Sequence, residues 1–81
     1  MRYHHTGRAR EQFENAPSEI QRAFQKQARL LIRDLRHPSL HAKKYDETND
    51  VRQAWVTRGW RFYFMIQGDI YMILSIIKHP K

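Results

Sequence analysis

The sequence contains no cysteine, and it has only three glycines and three prolines. Without cysteine, neither a disulfide framework nor a zinc–thiolate site is available. The glycines are too scattered for a phosphate-binding loop, which needs several of them close together. The longest apolar stretch lies near residues 70–77, far short of the ~20 residues of a membrane helix. No apolar run follows the first five residues, so we expect no secretory signal and a reducing, cytoplasmic location.

Positive charge is what the sequence has in excess. Fifteen Lys and Arg residues against eight Asp and Glu give a formal charge of +7. Residues 36–44 hold three basic residues and no acid, and residues 51–81 hold five basic residues and one acid. Such a balance favours a polyanionic partner, chiefly nucleic acid or an acidic protein. The alternative is a basic surface that serves solubility alone.

The first half of the chain predicts two helices. Eighty-one residues make a single domain, 1–81, with a thin core. Thr6 is expected to cap a short helix, and Pro17 suits the first turn of a second one that runs to about Leu35. The second helix has one apolar stripe, made by Ile20, Phe24, Ala28, Leu31 and Leu35. Four basic residues fall on or near its opposite face: Arg22, Lys26, Arg29 and Arg33.

The second half predicts a small sheet. Pro38 ends the helix, and residues 38–50 read as a polar connection. Strands are expected over 51–57, 60–66 and 70–78, with turns at residues 58–59 and 68–69, and residues 2–5 as a further edge strand. A two-residue loop at 68–69 would place Phe64 opposite Ile73, Tyr63 opposite Leu74 and Arg61 opposite Ile76.

These elements predict the α+β class. Two antiparallel helices pack on one face of a small, mainly antiparallel sheet in the order β-α-α-β-β-β, and the other face of the sheet stays open to solvent. No metal-binding motif stands out, because His4 and His5 are adjacent and point to opposite faces of a strand. The acids of the second half cluster on a loop tip, which argues against a paired-carboxylate site.

The remaining candidates for chemistry are cations and a histidine near strand ends and in the connection: Lys43, Lys44, Arg61, His79 and Lys81. RNA cleavage by 2′-hydroxyl attack needs a proton acceptor, cations around the phosphate and a proton for the leaving oxygen. Histidine moves protons near neutral pH and arginine holds phosphate by two parallel hydrogen bonds. This chemistry requires neither a metal nor another cofactor. Each of these residues can also be interpreted as an ordinary solvated side chain without a role in catalysis.

The order of these motifs resembles toxins of the RelE/ParE type from toxin–antitoxin systems. Residues 36–45, Arg-His-Pro-Ser-Leu-His-Ala-Lys-Lys-Tyr, are similar to the family's loop between helices and sheet. Residues 57–64 resemble its strand with an arginine before aromatic residues. The turn at 68–69 and the closing Lys-His-Pro-Lys resemble a subgroup with a histidine just after the last strand. The likeness covers nearly the whole chain.

The resemblance implies a cytoplasmic protein that a cognate antitoxin neutralises, and that cleaves mRNA on the ribosome without metal. By position, Arg61 matches the strand arginine at the scissile phosphate, and Lys43 and Lys44 match the basic loop that grips RNA. His79 and Lys81 match C-terminal residues implied in catalysis. Arg52 and Arg58 are further candidates for RNA binding. The ParE branch of the family implies an alternative function, poisoning of DNA gyrase.

One departure separates this sequence from its relatives. They commonly read Trp-Gln-Ala-Arg-Val where this chain has Arg52-Gln53-Ala54-Trp55-Val56, so Trp and Arg have exchanged places. Positions 52 and 55 have opposite parity on a strand, so the exchange moves the charge to the other face of the sheet. With Lys81 as its last residue, the sequence is also expected to lack the C-terminal tail that the resemblance implies for some members. A third hypothesis is therefore a catalytically weakened RNA-binding or regulatory protein.

Overall fold

The computed structural model describes residues 1–80, which form two helices and five strands. In chain order these are β1 (Arg2–His5), α1 (Gly7–Asn15), α2 (Ser18–Arg33), β2 (Lys43–Asp46), β3 (Val51–Thr57), β4 (Trp60–Gln67) and β5 (Ile70–Lys78). A 3-10 turn, Pro38–Leu40, lies between α2 and β2. The predicted α+β class is confirmed. No helix within residues 1–80 is both long and apolar enough to cross a membrane.

The order of elements contains one strand more than the sequence predicted. Strand β2 lies inside the stretch 38–50, which we expected to be a polar connection. Its four residues, Lys-Lys-Tyr-Asp, pair only with β3 at the edge of the sheet. Because both faces of such a short edge strand are largely wet, it needs no apolar alternation, and that is the signal by which a strand is found in a sequence.

Local signals set the helix boundaries. The Thr6 side chain accepts a hydrogen bond from the Ala9 amide at 3.1 Å, which caps α1 as predicted. Helix α2 begins after Pro17 and ends at Arg33, two residues before the predicted end at Leu35. Its stripe packs into a core that contains α1, α2 and the sheet: Ala9, Ile20, Phe24, Ala28, Leu31, Leu40, Ala54, Val56, Phe62, Phe64, Tyr71, Ile73 and Ile76.

The sheet has the strand order β1-β5-β4-β3-β2, in which β1 runs parallel to β5 and the other neighbours are antiparallel. The hairpin loop at Gly68-Asp69 is confirmed, since Gln67 pairs with Ile70. Gly68 has φ +62°, as the first residue of a type II′ turn requires. The pairing of Phe64 with Ile73 is also confirmed.

Farther from that loop the predicted register is wrong by one residue. Tyr63 lies opposite Ser75, and Arg61 lies opposite Ile77, because the register shifts between Tyr63 and Phe64. Leu74 is the extra residue of this bulge. A bulge leaves no mark in the alternation of an almost continuously apolar strand such as β5, so the sequence alone did not reveal it.

The face of the sheet turned away from the helices is called the open face below. Two rows of paired residues cross it. One row joins Trp55, Arg61 and Ile77, and the other joins Lys43, Gln53, Tyr63 and Ser75. The opposite face carries Ala54, Phe62 and Ile76 into the core. The open face therefore combines cations with aromatic rings.

Candidate nucleic-acid interface

The centre of the open face is the indole of Trp55. The imidazole of His41 stacks on it with ring centroids 3.7 Å apart, and the guanidinium carbon of Arg61 lies 4.3 Å from the indole centroid. His41 takes a left-handed conformation, φ 47°, at the end of the 3-10 turn, and this directs its ring toward β3. A cation and two π systems are thus packed together at one place on the sheet.

A buried glutamine fixes the backbone of this cluster. Gln27 of α2 donates through Nε2 to the carbonyl oxygens of Ser39, at 3.0 Å, and Trp55, at 2.9 Å. The helix is thereby joined both to the turn that carries His41 and to the strand that carries Trp55. The polar side chain is inside the core because it satisfies two backbone acceptors there.

Arg61 is the one arginine among residues 1–80 that is buried, with 6% of its surface exposed. Its Nη1 donates to three carbonyl oxygens around the β3–β4 turn: Thr57 at 2.9 Å, Arg58 at 2.9 Å and Trp60 at 3.1 Å. Its Nε is buried and finds no acceptor. A buried donor without a partner costs more than one left in water, and for a charged group the cost is larger.

No carboxylate within residues 1–80 forms an ion pair with Arg61. Within the described part of the chain, the single ion pair joins Lys44 to Asp50 at the edge of the sheet. Buried charges in proteins are normally paired. The open face therefore contains a cation that lacks both an anion and one hydrogen-bond acceptor.

Two tyrosines lie beside this cation. The rings of Tyr45 and Tyr63 have centroids 4.7 Å apart, and Tyr45 is 63% exposed. Burial, and then the nearby phenol of Tyr45, raise the pKa of Tyr63, while Arg61 acts in the opposite direction. The Tyr63 hydroxyl is therefore protonated near neutral pH and serves as a hydrogen-bond donor rather than as a base.

One end of the open face is a cavity of about 850 Å³ lined by Arg58, Gly59, Lys78, His79 and Pro80. The His79 amide donates to the Gly59 carbonyl oxygen at 2.8 Å, so the residue after β5 is held against the β3–β4 turn. That turn also supplies the carbonyl oxygens that hold Arg61. Arg61 and His79 are thus brought to the same end of the sheet.

A crevice of about 420 Å³ lies beside β2, at the edge of the sheet. Its lining is largely cationic: Leu35, Arg36, His41, Ala42, Lys43, Lys44 and Arg52. Lys43 and Lys44 lie on a strand, so they point to opposite faces, and only Lys43 shares the open face with Arg61. Lys44 is bound to Asp50.

The structure divides the candidate residues into two groups. Arg58 and His79 line the larger cavity, whereas Lys43, Lys44 and Arg52 line the smaller crevice. Trp55 contacts both His41, which lines the crevice, and Arg61, whose Nη1 is bound to the turn that lines the larger cavity. Lys81, the remaining candidate, lies outside the described residues.

The exchange of Trp and Arg has the predicted structural consequence. Arg52 pairs with Phe64 and shares the helix-covered side, whereas Trp55 pairs with Arg61 on the open face. An arginine at position 55 would face Arg61, and here an indole receives the Arg61 guanidinium instead.

Two aromatic features of the site were missed in the sequence. His41 is directed by a left-handed backbone, for which a histidine gives no signal in advance. Tyr63, which was not among the predicted site residues, lies on the open face. Its parity with Arg61 along β4 was the available signal.

Metal ligands do not gather anywhere in residues 1–80: no group of three His, Asp or Glu side chains is close enough to hold an ion. The nearest neighbours of Arg61 on the open face are instead aromatic rings and backbone carbonyl oxygens. The arrangement is suited to binding phosphate with guanidinium and ammonium groups and unpaired bases with aromatic rings.

Comparison with known sequences and structures gives a consistent fold. No protein-family model matches the sequence, and no curated protein matches it significantly. Solved structures match over almost the whole chain. The YoeB/ParE toxin from Agrobacterium tumefaciens is 12% identical, with a TM-score of 0.82, over 99% of this chain and 100% of that one. The isolated Escherichia coli RelE toxin is 13% identical, with a TM-score of 0.78, over 99% of this chain and 85% of that one.

A third similar structure is a chain of the toxin–antitoxin complex RelBE2 from Mycobacterium tuberculosis. It is 22% identical, with a TM-score of 0.75, over 98% of this chain and 96% of that one. Similarity at this level of identity concerns the course of the backbone. The resemblance found in the sequence is confirmed at the level of the fold: this chain has the fold of the RelE/YoeB/ParE-type toxins of toxin–antitoxin systems.

Proposed function

We propose that this chain is the toxin of a type II toxin–antitoxin system and that it cleaves mRNA on the ribosome, in the cytoplasm, without a metal. The observation that supports this most directly is the state of Arg61. Its guanidinium is buried on the open face with an unpaired Nε and without a carboxylate partner. A phosphate would supply the anion that this buried charge lacks.

The uncompensated charge of Arg61 favours an anion over a neutral ligand. Nη1 is already occupied by three carbonyl oxygens, so the guanidinium is held in one orientation before any ligand arrives. A fixed donor loses little freedom on binding. The bound phosphate would lie beside the indole of Trp55. An unpaired base would stack on the ring of Tyr45, which is exposed.

The proposed reaction is attack of a 2′-oxygen on the adjacent phosphorus, with release of the 5′-oxygen. His79 is the proposed acid or base, because it is exposed beside the Arg61 turn. His41 is the second imidazole of the open face and the candidate for the other proton transfer. Lys43, Lys44 and Arg61 would hold phosphates, Arg52 and Arg58 would extend the RNA path, and Lys81 would assist catalysis.

The proposed protein partner is a cognate antitoxin. RelBE2, which shares this fold, was solved as a toxin–antitoxin complex. A protein that covers the open face would remove the cation and the aromatic rings from RNA together. Such a partner would also cover apolar surface of a small domain whose own core is thin.

The test is induced expression of the chain in a bacterial host that lacks any antitoxin for it. We expect growth arrest, loss of translation and cuts in mRNA that primer extension places within codons. His79→Ala and Arg61→Met should restore growth and remove the cuts. The matched control is His4→Ala, which changes an exposed histidine on β1 and should remain toxic.

The same experiment separates the alternatives. A DNA damage response with intact mRNA, unchanged in the His79→Ala protein, would point to gyrase poisoning and contradict the proposal. Normal growth with well-expressed wild-type protein would point to the weakened RNA-binding member. Either result would leave the fold as described and replace the activity.

A further inference from the structure

We propose that the exposed face of helix α2 is a second nucleic-acid-binding surface, which holds the backbone of double-helical RNA. Its residues, called the α2 stripe below, are Arg22, Lys26, Arg29 and Arg33. This surface does not belong to the open face, and the inference does not depend on the cleavage activity proposed above.

The four cations of the stripe lie along one exposed side of the helix. At 100° per residue, the four side chains fall within an arc of about 60°, diametrically opposite the buried positions of the helix. Those buried positions are Ile20, Phe24, Gln27, Ala28 and Leu31. All four stripe residues are exposed. Eleven residues separate the first from the last, so at 1.5 Å per residue the row is about 16 Å long.

The stripe has little compensating charge within residues 1–80. Glu19, one turn before Arg22, is the only acid in α2, and none of the four cations forms an ion pair. Consecutive members of the stripe are three or four residues apart, so Lys26, Arg29 and Arg33 have only like charges as neighbours within α2 at this spacing. Like charges at this spacing destabilise a helix. A face that served solubility alone would gain from alternating signs, and this one does not alternate.

The shape of the stripe matches that of a nucleic-acid duplex. Double-helical nucleic acid presents a regular array of phosphates along a stiff rod, about one charge per 1.7 Å of axis for DNA. A straight row of three arginines and one lysine on a rigid helix fits such an array without reading bases. Because α2 offers no exposed aromatic ring among the stripe residues, a single strand with unpaired bases has nothing to stack on there.

The geometry gives the two surfaces separate ligands. Helix α2 packs on the covered side of the sheet, so the stripe and the open face point in opposite directions. The shortest dimension of the molecule is 24 Å. A strand lying in the open face therefore does not reach the stripe, and structured RNA bound at the stripe would leave the open face free for an unpaired strand.

The test compares two double variants of the full-length protein that remove the same charge. Lys26→Gln with Arg29→Gln alters the centre of the stripe, and Arg8→Gln with Arg10→Gln alters two exposed arginines of α1. Glutamine has a helix propensity close to those of lysine and arginine, so both should fold. Binding to a blunt 16-base-pair RNA duplex is measured by fluorescence anisotropy across a salt series.

We expect the stripe variant to bind the duplex about ten-fold more weakly at intermediate salt, with a salt slope smaller by about two. The α1 variant should lose distinctly less affinity for the RNA duplex. A single-stranded DNA oligonucleotide, which lacks the 2′-hydroxyl, should bind the two double variants equally well. Equal losses of duplex binding would show an effect of net charge alone and overturn the proposal. If the stripe variant loses affinity for poly-glutamate but keeps its affinity for the RNA duplex, the partner of the α2 stripe is an acidic protein and the proposal is overturned.

Discussion

At the scale of the residue, Arg61 combines two properties that rarely occur together. It supports the fold, since its Nη1 binds three carbonyl oxygens of the β3–β4 turn. It is also incomplete, since its Nε has no acceptor. An arginine used only for structure would be expected to satisfy all of its buried donors. The unpaired buried donor of Arg61 therefore indicates that this arginine also binds a ligand.

Phosphate should therefore stabilise the protein through Arg61. At ten times its dissociation constant, a ligand that binds only the folded state adds about 1.4 kcal/mol to the free energy of unfolding. We expect inorganic phosphate to raise the melting temperature more than chloride does at equal ionic strength, and Arg61→Met to abolish the difference. The Lys26→Gln/Arg29→Gln protein should retain it. An equal effect in Arg61→Met would assign phosphate binding to another site.

His5 is a second residue with an unpaired buried atom, its Nε2. Its ring lies among Tyr3, Phe13 and Phe24, with centroids 5.5 to 5.8 Å away. Desolvation, and then the positive charge of Arg10, lower its pKa from the ordinary 6.5. The neutral ring fits this aromatic surrounding, and the protonated ring does not.

This gives stability a pH dependence of defined sign. Below pH 6.5 the unfolded chain binds a proton at His5 that the folded chain resists, so unfolding takes up protons and acidification favours it. The contribution of His5 is full above that pH and is lost as the pH falls toward the folded-state pKa. Urea midpoints between pH 7.5 and 5.5 should fall less in His5→Phe than in wild type, and His4→Gln should behave as wild type. Parallel curves for all three proteins would contradict this.

At the scale of the element, the sequence predicted what short local patterns determine. Thr6 before α1 and the Gly68-Asp69 loop each act through bonds to residues a few positions away, and both were confirmed. Pro17 marks the start of α2 as its N-cap, one position before the first turn in which we predicted it. The Leu74 bulge and strand β2 depend on partners far along the chain. Their own residues do not specify them, so they appeared only in the structure.

The hairpin between β4 and β5 allows a controlled test of one such local signal. Gly68 has φ +62°, whereas Gly59 in the preceding turn does not have a positive φ, and an added Cβ meets no atom within 4 Å at either position. Gly68→Ala should therefore lower the free energy of unfolding by about 1 kcal/mol through backbone strain alone. Gly59→Ala should change it by less than about 0.5 kcal/mol. Urea denaturation measures both, and similar losses would refute the assignment of strain to position 68.

Helix α2 shows how one element serves both sides of the molecule. Its buried side supplies Gln27, which holds the backbone at Ser39 and Trp55, and its exposed side supplies the α2 stripe. The periodicity of the apolar residues predicted which side of α2 is buried, but it did not predict that a glutamine lies within that side. The role of a polar residue inside an apolar stripe can be recognised only once its two hydrogen-bond acceptors are known.

At the scale of the whole molecule, the fold was more predictable than the site. Two amphipathic helices and a set of β-prone segments leave few arrangements, and the open face follows from having helices on one side only. The site depends on which strand residues face each other. The one-residue shift at Leu74 changed the partner of Arg61, and the left-handed turn at His41 placed an imidazole on Trp55.

The central claim is that the open face catalyses attack by a 2′-hydroxyl, and the ends of the cut RNA test it most directly. The purified chain, free of antitoxin, is added to ribosomes carrying an mRNA, alone and with a 2′-deoxy nucleotide at the mapped cut. We predict a downstream fragment with a 5′-hydroxyl and an upstream fragment with a cyclic or 3′-phosphate, and no cut at the 2′-deoxy position. Fragments with a 5′-phosphate, cleavage of the 2′-deoxy substrate, or intact mRNA with the protein in excess would contradict the account.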